Sequence, residues 1–252
     1  MIYSHAMKNL RTYDILEYLK RKRRCTLEEL MRKFGVSSAT IHRDVAELVR
    51  RNSVERVRGG IVFADAPTAR PGGGDYQDRV IANQGAKDRI AAKALKLVAE
   101  GDILFLDSST TVYAFAQLLR QQAFDHLTIL TNSVSIMQNF RKFPQHWVLI
   151  GLGGTYDPQL NSILGAEALR QLGDFNITKC FVSAFGLNDR MATTNHERQS
   201  ELIKKVLDAA EQRYLLVDRS KFGRTGLYRL SARGTFDRIV SETSADRADS
   251  WP

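Results

Sequence analysis

Thr26-Leu-Glu-Glu-Leu-Met-Arg-Lys-Phe-Gly-Val-Ser-Ser-Ala-Thr-Ile-His-Arg-Asp44 reads as a helix, a tight turn and a second helix. The Thr26 hydroxyl suits an N-cap, and Glu28 and Glu29 follow where the helix dipole favours acids. Leu27, Leu30 and Phe34 share one face, and Gly35 supplies the left-handed residue that ends a helix. Ser37 is the next N-cap, and Ile41, Val45, Leu48 and Val49 form the apolar stripe of a helix running to about Arg51. Upstream, Leu10, Ile15, Leu16 and Leu19 recur at roughly helical spacing within residues 8–23, ahead of the basic run Lys20-Arg-Lys-Arg-Arg24. Downstream, Val54–Arg58 and Ile61–Phe63 flank Gly59-Gly60 and read as a two-strand hairpin. Three helices and a hairpin make a winged helix-turn-helix over residues 8–63.

Charge points the same way. The chain has 252 residues and a net charge of +9, and residues 1–64 alone hold 14 Lys and Arg against 7 Asp and Glu. A compact cationic unit on a nearly neutral body suggests a head that reads DNA. With its apolar stripe turned inward, the third helix presents Ser38, Ala39, His42 and Arg43 from the half that enters a major groove. Arg43 suits guanine, a contact worth about 1–3 kcal/mol of discrimination when bidentate. Ser37, Ser38 and Thr40 suit phosphates or base edges, and Arg56, Arg58, Gly59 and Gly60 bring the hairpin to the duplex. A solvated helix end accounts for Lys20–Arg24 equally well.

Residues 64–75 are rich in Pro and Gly and read as a linker. From Tyr76 to about residue 242 the pattern alternates. Helices are expected at 86–99, 112–121, 133–141, 166–172 and 197–212, and strands at 103–107, 127–130, 147–150, 179–185 and 214–218. Such alternation implies an α/β domain with a largely parallel sheet covered on both faces. The longest apolar runs, such as Ile103–Leu106, suit a buried strand rather than a membrane span. No membrane association is expected. The N-terminus is polar, with no secretory pattern, and either Met1 or Met7 suits a start. Cys25 and Cys180 are isolated, which fits a reducing compartment, and the cytoplasm is the expected location.

Ile103-Leu-Phe-Leu-Asp-Ser-Ser-Thr-Thr111 is the second informative stretch. A buried strand ends in an acid, and hydroxyl residues lead into a helix whose free N–H groups favour an anion. Ser108, Ser109, Thr110 and Thr111 therefore suit a phosphate, with Asp107 free to accept from a sugar hydroxyl. Plain helix capping is the alternative. Asn132 follows the next strand, Gly153 and Gly154 the one after, and Gly186 and its neighbours a later one; open parallel sheets bind ligands at such ends. Glu201 and Lys204 share a helix face, and Asp218 and Lys221 close the candidate set, Lys221 as a counter-charge. Gly151-Leu-Gly-Gly154 lacks the third glycine of a dinucleotide fingerprint, and His196-Glu197 lacks the second histidine of a zinc motif. No cofactor or metal is expected.

Val36-Ser-Ser-Ala-Thr-Ile-His-Arg-Asp-Val45 and Arg56-Val-Arg-Gly-Gly60 resemble the DeoR family of bacterial sugar-metabolism regulators. His42 stands where that family has the first of two arginines. The resemblance continues through Lys87, Asp88-Arg-Ile-Ala91, Asp107–Thr111, Thr131-Asn-Ser133, Gly153-Gly154 and Asp218-Arg-Ser-Lys-Phe-Gly223. Ser109 replaces the usual loop glycine, and Arg190–Thr194 departs from a Gly-x-Thr-Thr pattern. The resemblance implies a sensor domain like ribose-5-phosphate isomerase. It also implies a regulator, usually a repressor, that binds double-stranded operator DNA as a homodimer or homotetramer under control of a phosphorylated sugar. An isomerase-type enzyme with a DNA-binding appendage is the alternative, but no paired-acid motif supports it. A non-switching architectural DNA binder would not need the strand-end loops.

Overall fold

The cap residues written into the sequence close real turns. Thr26 accepts from the Glu29 amide at 3.1 Å, and Gly35 at φ +63° ends the helix between them. The computed structural model describes residues 11–12, 14–19, 22–50, 54–57, 60–63 and 76–243. The chain divides into two compact units, Met1–Gly73 and Gly74–Pro252.

In the first unit, residues 14–19 are helical (α1), followed by β1 (Arg24–Cys25), α2 (Leu27–Phe34), α3 (Ser38–Arg50), β2 (Val54–Val57) and β3 (Gly60–Phe63). Ile15, Leu19, Leu30, Ile41, Val45, Leu48, Val54 and Ile61 are buried in one core. The sheet order is β1-β3-β2, so the wing has a third strand that the hairpin pattern did not announce. Arg23 adopts φ +69° after the helix and turns the chain into β1, where Cys25 pairs with Ile61. Val57 pairs with Gly60, which moves Gly60 out of the expected turn and into β3. A Cβ on Gly60 would lie 2.4 Å from the Cys25 carbonyl oxygen, so its bareness serves the approach of β1. Arg58 and Gly59, and the expected linker 64–75, lie outside the described residues.

The second unit runs α4 (Tyr76–Ile81), α5 (Gln84–Leu95), β4 (Ile103–Leu106), α6 (Thr110–Leu119), β5 (Thr128–Thr131), α7 (Val134–Asn139), β6 (Val148–Gly151), β7 (Thr155–Asp157), β8 (Ser162–Leu164), α8 (Ala166–Leu172), β9 (Ile177–Val182), β10 (Gly186–Leu187), β11 (Met191–Thr194), α9 (Glu197–Ala209), β12 (Ala210–Leu216), β13 (Tyr228–Ala232) and β14 (Arg238–Val240). Six strands form one parallel sheet in the order β14-β12-β9-β4-β5-β6. Side chains alternate between its faces, as strand geometry requires. Leu104, Leu106, Ile129, Phe181 and Leu216 pack on one face with α5 and α6. Phe105, Leu130, Cys180, Val182 and Leu215 pack on the other with α8 and α9.

The chain builds outward from β4 through β5 to β6, then returns to β9 on the far side of β4 and continues to β14. Sheets of this doubly wound order carry a crevice for ligands beyond the carboxyl ends of the strands at the switch point, here β4 and β9. The expected strand 179–185 stops at Val182, which leaves residues 183–185 as a loop over that crevice. The expected helix 197–212 stops at Ala209, because Ala210 and Gln212 pair with Ile177 and Lys179 instead. Pairing at the middle of a sheet outweighs helix propensity there. The hairpin β7–β8 and the antiparallel sheet β10-β11-β13 were not expected from the pattern.

Candidate nucleic-acid interface and candidate anion site

In the head, Ser38, Ala39, His42 and Arg43 are exposed on α3, opposite the buried Ile41, Val45 and Leu48. The Ser37 and Thr40 hydroxyls lie 3.0 Å apart and close the first turn. Arg56 of β2 is exposed and reaches His42 Nδ1 at 3.5 Å, so wing and third helix present one polar surface. Beneath it, Asp44 is buried and accepts from Arg11 Nε at 2.5 Å and Nη2 at 3.3 Å. The fork fixes α3 to the helical residues at the start of the head. Sequence reasoning passed over this pair, although an acid in step with Ile41, Val45 and Leu48 signals a buried partner.

In the body, Asp107 differs from its expected role. It is fully buried, and its two oxygens accept from the Ser109 and Ser183 amides, each at 2.8 Å. It bridges the loops after β4 and β9 instead of standing free for a sugar hydroxyl. Burial pushes its carboxyl up to about 6, against the pull of the Ser109 and Ser183 hydrogen bonds and the Arg79 charge. Ser109 caps α6 by accepting from the Val112 amide. The amides of Thr110 and Thr111 open that helix and have no acceptor within it.

Cations gather around Asp218, and one of them, Arg79, also acts on Asp107. Lys87 is buried, and burial lowers its ammonium to about 8; nearby Asp218 opposes that shift, while Lys221 and Arg79 reinforce it. Lys221 is lowered by burial too, with Asp218 opposing and Arg224 and Arg79 reinforcing. The Lys221 ammonium lies 5.9 Å from the Phe185 ring centre, and the Arg224 guanidinium lies 5.5 Å from it. Asp218 is buried, accepts from the Ser220 amide at 2.9 Å and meets Asn83 Nδ2 at 3.3 Å. Several cations crowded round one acid is an arrangement that a small anion relieves. Lys87 was legible: it shares the buried α5 stripe with Ile90, Ala91 and Ala94, where a lysine is out of pattern. Arg79 carries no such local signal.

Asn132 is buried beside this region and donates to the Ser162 hydroxyl at 2.7 Å. Other expected site residues have structural roles. The Gly153 amide donates to Gln171 Oε1 at 2.9 Å, and Gly154, at φ +143°, lets the backbone pass the Leu164 carbonyl. Both glycines seat the β7–β8 hairpin, which occupies the close approach expected of a ligand. A Cβ on Gly186 would lie 2.3 Å from the Arg224 carbonyl oxygen, so Gly186 admits the 223–226 loop. Glu201 and Lys204 are exposed on α9, away from its buried stripe, and no hydrogen bond or ion pair among the described residues ties them to the strand ends. Both cysteines are free and buried, with burial raising Cys25 to about 11 and Cys180 to about 12. Among the described residues no group of metal-binding side chains forms, and no helix is long and apolar enough to cross a membrane.

A winged helix-turn-helix and a separate α/β body with cations near its switch point define the class: a helix-turn-helix protein with a second module. Family comparison agrees: residues 11–66 match the DeoR-like helix-turn-helix domain and residues 82–243 the DeoR C-terminal sensor domain. The chain belongs to the DeoR family of transcriptional regulators. It is 31% identical to the HTH-type transcriptional regulator IolR of Bacillus subtilis, over 92% of this chain and 89% of that one. It is 30% identical to the L-fucose operon activator of Haemophilus influenzae, over 94% and 92%. Among solved structures, ribose 5-phosphate isomerase A from Neisseria gonorrhoeae overlays with a TM-score of 0.41 and 15% identity, covering 56% of this chain and 54% of that one.

Proposed function

We propose that this regulator controls a carbohydrate operon and that a phosphorylated sugar, bound beyond β4 and β9, sets its affinity for operator DNA. The observation that carries the reading is the meeting of Lys87, Lys221 and Arg79 around Asp218, with Arg79 also acting on Asp107 at the head of the hydroxyl loop 108–111, at the switch point of the sheet. The phosphate would take the Thr110 and Thr111 amides and the lysine charges, and Asn132 and the loop after β9 would face the sugar. Ser37, Ser38, Thr40, His42, Arg43 and Arg56 would contact the duplex. Two-fold operators and one head per chain call for a homodimer or homotetramer, working in the cytoplasm. A ligand shifts operator binding only by its differential affinity for the two states, so a hundredfold change needs about 2.8 kcal/mol of coupling.

A thermal-shift screen of the full chain against pentose, hexose and triose phosphates tests the reading. A stabilising compound is expected whose effect disappears in Lys221→Ala while operator binding survives. A shift that persists in Lys221→Ala would place the ligand elsewhere. Isomerase turnover of any of these compounds would favour the enzyme alternative.

A further inference from the structure

Two buried oxygens near the crevice lack hydrogen bonds. The Tyr76 ring is 3% exposed, and its hydroxyl is close enough to Ser135 and Asn161 for both to act on it but meets neither in full hydrogen-bond geometry. Asn132 donates through Nδ2 to Ser162, but its Oδ1 receives no hydrogen bond. Both neighbours have other partners. Asn161 Nδ2 donates to the Ser135 hydroxyl at 2.5 Å, and Asn161 Oδ1 accepts from Tyr156 at 3.2 Å. A sealed polar atom without a partner destabilises the arrangement that seals it. The closed arrangement therefore carries strain on this wall, from polar groups of the kind that read sugar hydroxyls.

Tyr76 begins α4, the first described element after residues 64–75, the stretch that leads from the head to the body in sequence. Charged side chains hold α4 in place. Arg79 donates to the Gln159 carbonyl at 2.8 Å, between β7 and β8. Lys87, from α5, donates to the Arg79 and Val80 carbonyls, the latter at 3.2 Å. These two side chains also belong to the cation group to which the anion site is assigned above.

We propose that α4 is a lid on the crevice, latched by Arg79 and Lys87. A phosphorylated polyol lifts it by drawing on those cations and pairing with the Tyr76 hydroxyl and Asn132 Oδ1. The proposal rests on the anion site described above. Its free-energy source is explicit: the closed form seals two oxygens that the lifted form offers to ligand hydroxyls, so the ligand favours the lifted form. Neutral amide and phenol groups at that end select an uncharged polyol over a sugar acid.

Hydrogen exchange on the full chain, with inorganic phosphate as probe, tests the latch. Amides 110–119 are expected to slow and amides 77–82 to quicken. If 110–119 slow while 77–82 hold or slow, the lid is wrong and the anion site stands. If neither segment responds, the anion site falls and takes the lid with it. Tyr76→Phe removes only the unsatisfied hydroxyl, so in the ligand-free chain amides 77–82 should slow about fivefold. Unchanged or faster exchange would show that the hydroxyl carries no strain.

Discussion

The head and the body use positive charge in opposite ways. Arg43 and Arg56 of the head are exposed, in water, ready to exchange counterions with a polyanion. Lys87 of the body is buried and Lys221 half-buried; burial depresses both ammonium groups, and nearby cations add to it. Solvated cations suit a long, uniformly charged partner whose grip weakens with salt. Desolvated cations suit one small anion whose grip depends on pH. On the proposed reading, the difference lets one basic chain serve two ligands of the same sign without confusing them.

The strongest way to break this comparison is to unfold one side. Ile41→Ala empties a fully buried position in the head core, and should cost about 2–5 kcal/mol there. Urea titration followed by hydrogen exchange of segment 38–50 should show the loss, with segment 103–131 unchanged. A smaller effect separates recognition from sensing. Arg43→Ala should weaken operator binding by about 1–3 kcal/mol in a fluorescence titration and leave the sugar-phosphate thermal shift intact. Unaltered operator affinity would mean that α3 does not read the groove.

pH sharpens the contrast further. Folding depresses Lys87 from 10.5 to about 8. Between those values the unfolded chain binds the extra proton, so this group's destabilising effect on the body fades as pH rises through the window. Phosphate affinity moves the other way, falling as pH passes about 8, by up to roughly tenfold per unit if the ammonium is essential. Calorimetric titration between pH 7 and 9 checks this, and Lys87→Met should flatten the profile. Operator binding by the arginines of the head should stay level across the same range. The smallest expected effect is Arg56→Gln. If Arg56 holds one phosphate, the slope of log affinity against log salt should fall by about 1.

Local features of the fold were legible in the sequence, and distant pairings were not. Thr26, Ser109 and Ser133 announce helix starts because each hydroxyl satisfies an amide three residues on. Gly35 announces a stop through its left-handed backbone. The two-residue β1 has no period to read, and its pairing with β3 depends on Gly60, more than thirty residues later. The alternation of strands and helices implied a parallel sheet without its order. Yet the order decides that the loops after β4 and β9 meet, and so turns Asp107 from an open acceptor into a bridge. Arg79 was hidden for the same reason: its relation to Asp107 and Lys87 exists only once α4 is folded against α5 and the β7–β8 turn.

That bridge constrains how this architecture can change its chemistry. One carboxylate ties the mouth of the loop after β4 to the mouth of the loop after β9, so those two walls keep a fixed gauge. A lineage adapting to a bulkier or shorter metabolite would leave them alone and remodel the outer rim, residues 76–83 and 155–164.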